Sequence, residues 1–497
     1  MLTFRLLLGA ALPLLPLAGW RLALGARRLL PGLPAELAGP AAAWLLLLAA
    51  TDRPLFAGLG AAAPVVALMV VDAAKRRVLR EPLLFSDALM LPLVARHPHL
   101  YLPFAGGRLI PGALLLGGLA ALALLLAEPA AGLGAARRGL ALIGAALGWR
   151  LVLRPPAALV RRLMPDGGAV ADPAADQRRL GPLATLVAWT ACAAAERPGR
   201  RDRVPPGPPP TRAGRPAAPA VARPDPARDG AAPHLVLIQS ESFLDAARLG
   251  HGDLLPHWAS LGASSLQRGP LAVAGFGANT MRAEFAVLTG IPDAALGLDR
   301  FNPYFRFARR PVRSLAWTLR ARGHSATFLH PHDPRFFARD RVMPALGFER
   351  FESEADFPGA DRVGRYVADA ALGERLAALL RAPAPQFLFA VTMQAHGPWP
   401  GADPRGTYLR HLADADAMLG IVAAAARRAA RPVVLCLYGD HLPALPGLPE
   451  TLGRDTDYLI WRSDRRGGGA RRPLAAAALH DALLAALRQP ADAVPAA

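Results

Sequence analysis

HLVLIQS, at residues 234–240, is a continuous apolar run of strand length that is followed at once by Glu241. PVVLCLYGD, at residues 432–440, repeats this arrangement and is followed by His441. A short run that is apolar at nearly every position is typical of a strand buried on both faces of a sheet. The two runs therefore predict core strands that end in chemically active side chains.

The half of the chain around these strands alternates between strand and helix patterns. HSATFLH (324–330) and QFLFAVTMQ (386–394) predict two further strands. Helices are predicted at 314–323, 366–381, 408–428 and about 474–488. This alternation predicts an α/β fold with a largely parallel sheet that is covered by helices on both faces.

The first third of the chain is predicted to be a polytopic α-helical membrane domain. A membrane-spanning helix needs about 20 predominantly apolar residues. Apolar stretches lie at roughly 4–24, 37–50, 55–71, 109–127 and 139–153. We therefore expect about five membrane helices within residues 1–155. The next segment, 156–232, is predicted to be a juxtamembrane region and a Pro/Arg-rich linker. The linker covers about 196–232, where the composition cannot form a core.

The distribution of arginine bears on the orientation of this membrane domain. Basic clusters follow the first, third and fifth apolar stretches, and the positive-inside rule places such loops in the cytoplasm. Five spans would then leave the C-terminal domain in the cytoplasm. A sixth, short span at about 181–195 would instead place that domain outside.

The net charge of +19 raises the question of nucleic-acid binding. The arginines lie mainly in membrane-flanking loops and in the linker, without a basic stripe interleaved with aromatic residues. Attraction to anionic lipid explains this charge better, so we expect no nucleic-acid partner. The two cysteines, Cys192 and Cys436, can build neither a disulfide framework nor a thiolate metal site.

Polar residues that can carry chemistry stand at the ends of all four predicted strands. They are Glu241, His330, His396 and the pair Asp440–His441. One such residue is more often a cap or a satisfied polar group, but ligands collect at the carboxyl ends of parallel strands, and four on one sheet indicate a site. Two carboxylates and an imidazole suit a divalent ion such as Mn²⁺, Mg²⁺ or Zn²⁺.

A candidate nucleophile occurs in GFGANTMRAEF, at residues 275–285. Two glycines allow a tight turn, and Thr280 then begins a predicted helix that ends at Gly290. A threonine at a helix start is ordinarily an N-cap. The same position also directs backbone N–H groups at a phosphate, and metal coordination would convert the hydroxyl into a nucleophile.

Five motifs follow one another in the order IQSESF, GFGANTMRAEF, HPHDPRFFARD, QAHGP and YGDH. In this order and spacing they resemble the lipoteichoic acid synthase and phosphoglycerol transferase I group of the alkaline phosphatase/sulfatase superfamily. The resemblance covers essentially the whole chain, including KRRVLREPLLFSD at 75–87. It implies a bacterial inner-membrane protein whose residues 233–497 form a sulfatase-like α/β/α sandwich, the catalytic domain, on the periplasmic side.

The resemblance also implies roles for individual residues. The metal ligands would be Glu241, Thr280, Asp440 and His441, with Mn²⁺ or Mg²⁺ as the ion. Thr280 would attack the phosphodiester of phosphatidylglycerol, release diacylglycerol and carry a covalent glycerophosphoryl group. A hydroxyl of a glycan or glycerol-phosphate acceptor would then take that group. The implied substrate contacts are His330, Phe337, Arg339 and His396, and His396 would also transfer a proton.

The sequence departs from the family pattern at positions that concern substrate preference. Thr280 is followed by Met281 and Arg282 where the group often has Ser-Asp, and Phe337 stands where it often has tryptophan. The C/S-x-P-x-R signature of a true sulfatase is not found in the sequence. A phosphoethanolamine transferase, the main alternative, usually carries several disulfides in this domain, whereas Cys436 is the only cysteine there.

Overall fold

The computed structural model describes residues 1–26, 32–103, 110–168, 172–196, 232–308, 310–399, 401–445 and 447–490. The chain divides into two compact units, Met1–Arg201 and Asp202–Ala497. The predicted Pro/Arg-rich linker falls almost entirely on residues 197–231, outside the described residues.

The described part of the N-terminal unit is helical. Its helices are α1 (Leu2–Ala11), α2 (Leu14–Ala23), α3 (Leu33–Thr51), α4 (Pro54–Leu79), α5 (Leu91–Arg96), α6 (Pro98–Tyr101), α7 (Ile110–Ala127), α8 (Ala135–Leu153), α9 (Ala157–Leu163), α10 (Pro173–Leu180) and α11 (Pro182–Ala195). Each of the five predicted apolar stretches is therefore helical, and α11 lies where the short sixth span was predicted.

Three helical stretches of this unit are long and apolar enough to cross a membrane. Within the described residues they are Leu2–Ala23, Leu33–Thr51 and Pro54–Leu79, while Pro111–Ala127 and Pro182–Ala195 are apolar but shorter. Acidic side chains between these helices are satisfied locally. For example, the buried Asp72 accepts hydrogen bonds from Trp20 Nε1 at 3.0 Å and Arg76 Nε at 2.8 Å. Such pairing offsets the cost of burying a charged group.

The C-terminal unit alternates strands and helices. Its strands are β1 (His234–Ser240), β2 (Gln267–Ala272), β3 (Ser325–Leu329), β4 (Arg350–Glu352), β5 (Arg362–Val363), β6 (Tyr366–Val367), β7 (Gln386–Val391), β8 (Val433–Gly439), β9 (Thr456–Arg462), β10 (Ala470–Arg471) and β11 (Leu474–Ala475). Its helices are α12 (Pro256–Ala263), α13 (Thr280–Thr289), α14 (Pro303–Phe307), α15 (Leu315–Arg320), α16 (Arg339–Ala345), α17 (Asp369–Leu379), α18 (Pro404–Arg428) and α19 (Ala476–Arg488).

One nine-stranded sheet forms the centre of this unit. Its strand order is β10-β2-β9-β8-β1-β7-β3-β4, with β11 also paired to β2. The strands from β8 to β4 are parallel, whereas β9 is antiparallel to both β8 and β2. The predicted α/β class with a largely parallel sheet is confirmed, and the antiparallel strands make the sheet mixed.

The four strands predicted from apolar runs are β1, β3, β7 and β8, and every residue of β1 and β8 is buried. Helices α12, α17 and α18 contribute to one hydrophobic cluster with the side chains of Val236 and Leu435. Helix α19 packs on α13 and also contacts β8. This packing fixes the strand ends from which the candidate site is built.

Candidate active site

The strand order brings the predicted polar residues to one edge of the sheet. Strands β8, β1, β7 and β3 are consecutive neighbours and parallel, so their carboxyl ends lie side by side. Glu241 directly follows β1, the pair Asp440–His441 directly follows β8, and His330 directly follows β3. His396 lies five residues after the end of β7.

Three of these side chains form a buried cluster that could hold a metal ion. Ligand atoms of Glu241, Asp440 and His441 all lie within 4.8 Å of one another. His441 Nε2 is 3.5 Å from Glu241 Oε1 and 3.2 Å from Asp440 Oδ2. The other ring nitrogen, Nδ1, donates a hydrogen bond to the Leu442 carbonyl at 3.1 Å. That bond leaves Nε2 directed at the carboxylates with its lone pair available to a metal.

The cluster has the chemistry that a divalent cation requires. Asp440 Oδ2 is buried and has no hydrogen-bond partner among the described residues. Burial and the adjacent charge of Glu241 raise the pKa of Asp440. Burial would lower the pKa of His441, but the charges of Asp440 and Glu241 raise it. Two buried carboxylates side by side repel each other, and a cation between them would relieve that repulsion. Oxygen and imidazole ligands suit Mn²⁺, Mg²⁺ or Zn²⁺.

Ser242 connects the three members of the cluster, and the sequence analysis did not identify it. Its hydroxyl donates to Glu241 Oε1 at 2.8 Å, and its backbone N–H donates to Asp440 Oδ1 at 2.9 Å. The Ser242 hydroxyl also lies 3.4 Å from His441 Nδ1. The residue has a left-handed backbone with φ 55°, and Tyr408 Oη donates to its carbonyl at 2.7 Å. Hydrogen bonds of this kind orient ligands and tune their basicity.

Thr280 lies next to this cluster as the first helical residue of α13. The N-cap is Asn279, which has φ 71°, and it makes no side-chain capping bond. The Thr280 side chain lies close enough to Asp440 to offset part of the rise in the pKa of that carboxyl. The preceding loop is held in place because the Gly277 N–H donates to the Leu442 carbonyl at 3.0 Å. The threonine is therefore not an N-cap, and its side chain faces the acidic cluster.

A second buried cluster is formed by Arg339, Phe337 and His330. The Arg339 guanidinium lies over the Phe337 ring, 5.3 Å from its centroid, and Arg339 Nη1 donates to His330 Nε2 at 3.1 Å. His330 Nδ1 donates to the Val391 carbonyl at 3.0 Å. Burial and the charge of Arg339 hold the pKa of His330 well below its usual range. His330 is thus a neutral acceptor that contacts the arginine.

Arg339 is held from the other side by residues that the sequence analysis missed. Its Nη2 and Nε donate to the two carboxylate oxygens of Glu284 at 2.7 and 3.1 Å. Glu284 also accepts hydrogen bonds from Tyr304 Oη and from Gln239 Nε2. A signal was present in the sequence, since Glu284 is a charged residue within an apolar helical run, four positions after Thr280.

His396 is half-buried and lies in the segment that follows β7. Its Nδ1 donates to the Gly397 carbonyl at 2.6 Å, and its ring centroid lies 6.2 Å from that of Tyr366. Because Nδ1 is engaged in this way, Nε2 is the nitrogen that can accept or donate a proton. The sheet edge therefore combines a candidate metal centre, a hydroxyl, a guanidinium and an imidazole.

Comparison with known proteins assigns the family. The chain belongs to the sulfatase family, whose model matches residues 233–486. The predicted membership of the sulfatase-like branch of the alkaline phosphatase superfamily is thereby confirmed, and it is a superfamily of enzymes.

Relatives and a solved structure extend this result. The capsular polysaccharide biosynthesis protein RkpI of Rhizobium meliloti (strain 1021) is 35% identical over 243 residues, covering 46% of this chain and 45% of that protein. The "Putative cyclic beta-1,2-glucan modification protein" of the same organism is 32% identical over 255 residues, covering 48% and 39%. The matches thus span less than half the length of either relative.

The integral membrane protein lipooligosaccharide phosphoethanolamine transferase A from Neisseria meningitidis has a similar fold. Its TM-score is 0.51 at 14% identity, over 91% of this chain and 94% of that one. A similarity at this identity concerns the fold alone. The chain therefore combines apolar N-terminal helices with a C-terminal sulfatase-like domain, and its fold is similar to that of an integral membrane protein.

Proposed function

We propose that this protein is a membrane-bound phosphoglycerol transferase that moves glycerol phosphate from phosphatidylglycerol to a glycan of the cell envelope. In this proposal residues 233–497 are the catalytic domain, which faces the periplasm from the bacterial inner membrane. Glu241, Thr280, Asp440 and His441 bind Mn²⁺ or Mg²⁺, and Thr280 is the nucleophile. His330, Phe337, Arg339 and His396 contact the substrate.

The observation that carries the proposal is that one helix, α13, connects two groups suited to a phosphodiester. Thr280 is its first residue, and Glu284, one turn later, binds the Arg339 guanidinium. Thr280 also lies near enough to Asp440 of the acidic cluster to affect the pKa of that carboxyl. Burial would lower the pKa of Arg339, but Glu284, Tyr304 and Asp440 raise it, so the guanidinium stays charged. A permanently charged guanidinium is well suited to bind phosphoryl oxygens.

The residues divide the chemistry as follows. A bound divalent ion supplies charge that stabilises the deprotonated hydroxyl and a phosphoryl oxygen. Thr280 Oγ forms a bond to phosphorus as the bond from phosphorus to the diacylglycerol oxygen breaks. His396 Nε2 gives its proton to that leaving oxygen, and Arg339 donates hydrogen bonds to the phosphoryl group. In the second step His396 takes the proton of an acceptor hydroxyl, which attacks phosphorus and releases Thr280.

The acceptor is proposed to be a periplasmic glucan or a related envelope polysaccharide. Support comes from the names of the two relatives, one a glucan modification protein and the other a capsular polysaccharide biosynthesis protein. Transfer of phosphoethanolamine is the alternative, because a transferase of that kind has a similar fold. Both cysteines of this chain are free and buried, in contrast to the disulfides usual in that group.

The proposal is tested with the detergent-solubilised full chain, Mn²⁺ and phosphatidylglycerol that carries a labelled headgroup. We expect release of diacylglycerol, label on Thr280 when no acceptor is present, and transfer of label to an added glucan. Thr280→Ala should abolish all three, since a lost nucleophile removes the covalent step. The matched control is Thr289→Ala, at the other end of α13, where the hydroxyl donates only to the Phe285 carbonyl and caps Ile291.

Parallel assays with phosphatidylethanolamine separate the two candidates. Turnover of phosphatidylethanolamine in place of phosphatidylglycerol would establish the alternative donor. Equal diacylglycerol release by wild type and Thr280→Ala would contradict the proposed mechanism for either donor.

A further inference from the structure

Glu284 has no part in the chemistry described above, yet it is the most heavily hydrogen-bonded carboxylate near the site. It is 0% exposed, and it receives donors from Arg339, Tyr304 and Gln239. Gln239 is itself fixed, because Tyr438 Oη donates to its side-chain oxygen. The carboxylate therefore has one orientation, imposed by residues of β1, β8 and α14.

The pair that Glu284 forms with Arg339 is poorly explained by stability alone. Both side chains are almost completely buried, at 0% and 1% exposure. Removing two charges from water costs about as much as their attraction returns, so a buried ion pair is weak evidence of a stabilising role. The presence of a buried ion pair at this position therefore needs an explanation other than stability.

The position of Glu284 on α13 provides that account. Thr280 and Glu284 are four residues apart on the same helix, which places their side chains on one face, one turn apart. Glu284 holds Arg339 through two hydrogen bonds, so a single helix fixes both the hydroxyl of Thr280 and the guanidinium. The segment before Arg339 also has an unusual backbone, with φ 55° at Phe337 and 56° at Ala338. Such conformations persist where the surroundings enforce them and are concentrated at functional sites.

The hydrogen bonds of Arg339 leave it suited to bind a phosphoryl group. A guanidinium has five N–H donors. Two of them bind Glu284 and one binds His330, so five minus three leaves two. These two belong to Nη1 and Nη2, the adjacent nitrogens that can donate together to two oxygens of one phosphate. Glu284 thus decides which edge of the guanidinium is free.

We propose that Glu284 is a positioning residue that fixes the free edge of Arg339 relative to the Thr280 hydroxyl, so that both meet the same phosphoryl group. This inference rests on the proposed function, in which Thr280 attacks a phosphodiester. It adds that α13, through Glu284, sets the distance between the Thr280 hydroxyl and the Arg339 guanidinium. His330 contacts the same guanidinium from the opposite side, and it affects the reaction only through Arg339.

The test uses the full chain in detergent and the substitutions Glu284→Gln, Arg339→Met and the double variant. Rates are measured with phosphatidylglycerol and with a soluble chromogenic phosphodiester, per folded protein. Glu284→Gln should lower kcat by about 10²-fold, as expected for a displaced reacting group, while Mn²⁺ content stays at the wild-type value. In the Arg339→Met background the same change should have little further effect, since coupled residues are non-additive. Glu284→Asp, which keeps the charge, should restore part of the rate.

A matched control separates positioning from general structural damage. Glu352 is also 0% exposed and binds Arg375 through both carboxylate oxygens, at 2.7 and 2.8 Å, on the edge strand β4. Glu352→Gln is expected to lower the unfolding temperature but to leave the rate of the folded fraction unchanged. If the loss of kcat in the double variant equals the product of the losses in Glu284→Gln and Arg339→Met, the proposal is overturned.

Binding of sn-glycerol 1-phosphate, the headgroup that the proposed reaction transfers, provides a readout that does not need turnover when it is followed by calorimetry. We expect Glu284→Gln to weaken this binding and Glu352→Gln to leave it unchanged. Equal affinity in wild type and Glu284→Gln would reject the role of Glu284. Absence of phosphatidylglycerol turnover by the wild type, with binding still sensitive to Glu284, would instead reject the proposed donor and retain the positioning role.

Discussion

Ser242 is not among the proposed metal ligands, yet its contacts predict that it affects how tightly the metal binds. Its hydroxyl and its backbone N–H contact Glu241 and Asp440 separately. Removal of the hydroxyl would leave the backbone bond and the fold intact but would free the Glu241 carboxylate to rotate. The expected effect is therefore on affinity for the ion and not on the chemistry.

For Ser242→Ala we predict a loss of about 10- to 100-fold in Mn²⁺ affinity, the usual effect of removing a hydrogen bond to a metal ligand. Activity at saturating Mn²⁺ should remain near the wild-type value. Ser240→Ala is the matched control, because the buried Ser240 hydroxyl has no hydrogen-bond partner among the described residues. Metal titration of both variants tests this, and an unchanged affinity in Ser242→Ala would argue against Glu241 as a ligand.

The candidate site residues that could be predicted from the sequence differ in one respect from those that could not. Glu241, Asp440 and His441 follow apolar strands, so the alternation of polar and apolar residues marks them without knowledge of the partners. Ser242 and Gln239 are ordinary polar residues whose importance comes from contacts with chain segments some 150 to 200 positions away, such as Tyr438 and Asp440. The local sequence pattern contains no information about such distant partners. Only the strand order of the sheet identifies them.

At the level of elements, the end of β8 is the most constrained part of the site. Gly439 is the last residue of β8, and a Cβ at this position would lie 2.0 Å from the Phe243 carbonyl oxygen. The Gly439 carbonyl also accepts a hydrogen bond from Thr456 Oγ1 at 2.7 Å. The segments that follow β1 and β8 can therefore approach closely only because this residue has no side chain.

We predict that Gly439→Ala separates these two segments, and with them the ligands Glu241 and Asp440. Overpacking of this kind costs about 1–3 kcal/mol of stability, and metal binding should be lost with it. Gly252→Ala is the control, since a Cβ there meets nothing within 4 Å. Thermal unfolding and Mn²⁺ binding of both variants check the outcome, and wild-type metal affinity in Gly439→Ala would show that the close approach is not required.

The sheet itself was predicted only over its parallel centre, where the strands are buried at nearly every position. β1, β3, β7 and β8 are largely apolar runs, and these four form the consecutive parallel centre. β2, with the sequence QRGPLA, contains a proline and is buried at only two of its six positions, and it lies near the edge of the sheet. Proline and polar residues are tolerated at such positions but weaken the strand signal. The antiparallel side of the sheet was therefore missed.

At the scale of the whole molecule, the N-terminal unit bears on access to the proposed donor. Phosphatidylglycerol resides in the bilayer, and three helical stretches of this unit are long and apolar enough to cross a membrane. Anchoring a catalytic unit beside a membrane raises its effective concentration toward lipid without any new contact at the active site. The proposed metal ligands, Thr280 and Arg339 all belong to the other unit, Asp202–Ala497.

This division leads to a prediction for the fragment 233–497. It should remain monodisperse without detergent, bind Mn²⁺ with the affinity of the full chain and cleave a monomeric short-chain phosphatidylglycerol at a similar rate. Toward phosphatidylglycerol in vesicles it should be slower than the reconstituted full chain by about 10²-fold or more, because tethering is lost. The short-chain substrate is the internal control for intact chemistry. Aggregation of the fragment would show that part of residues 1–232 belongs to the catalytic fold, and equal rates on vesicles would show that the helices serve a purpose other than donor access.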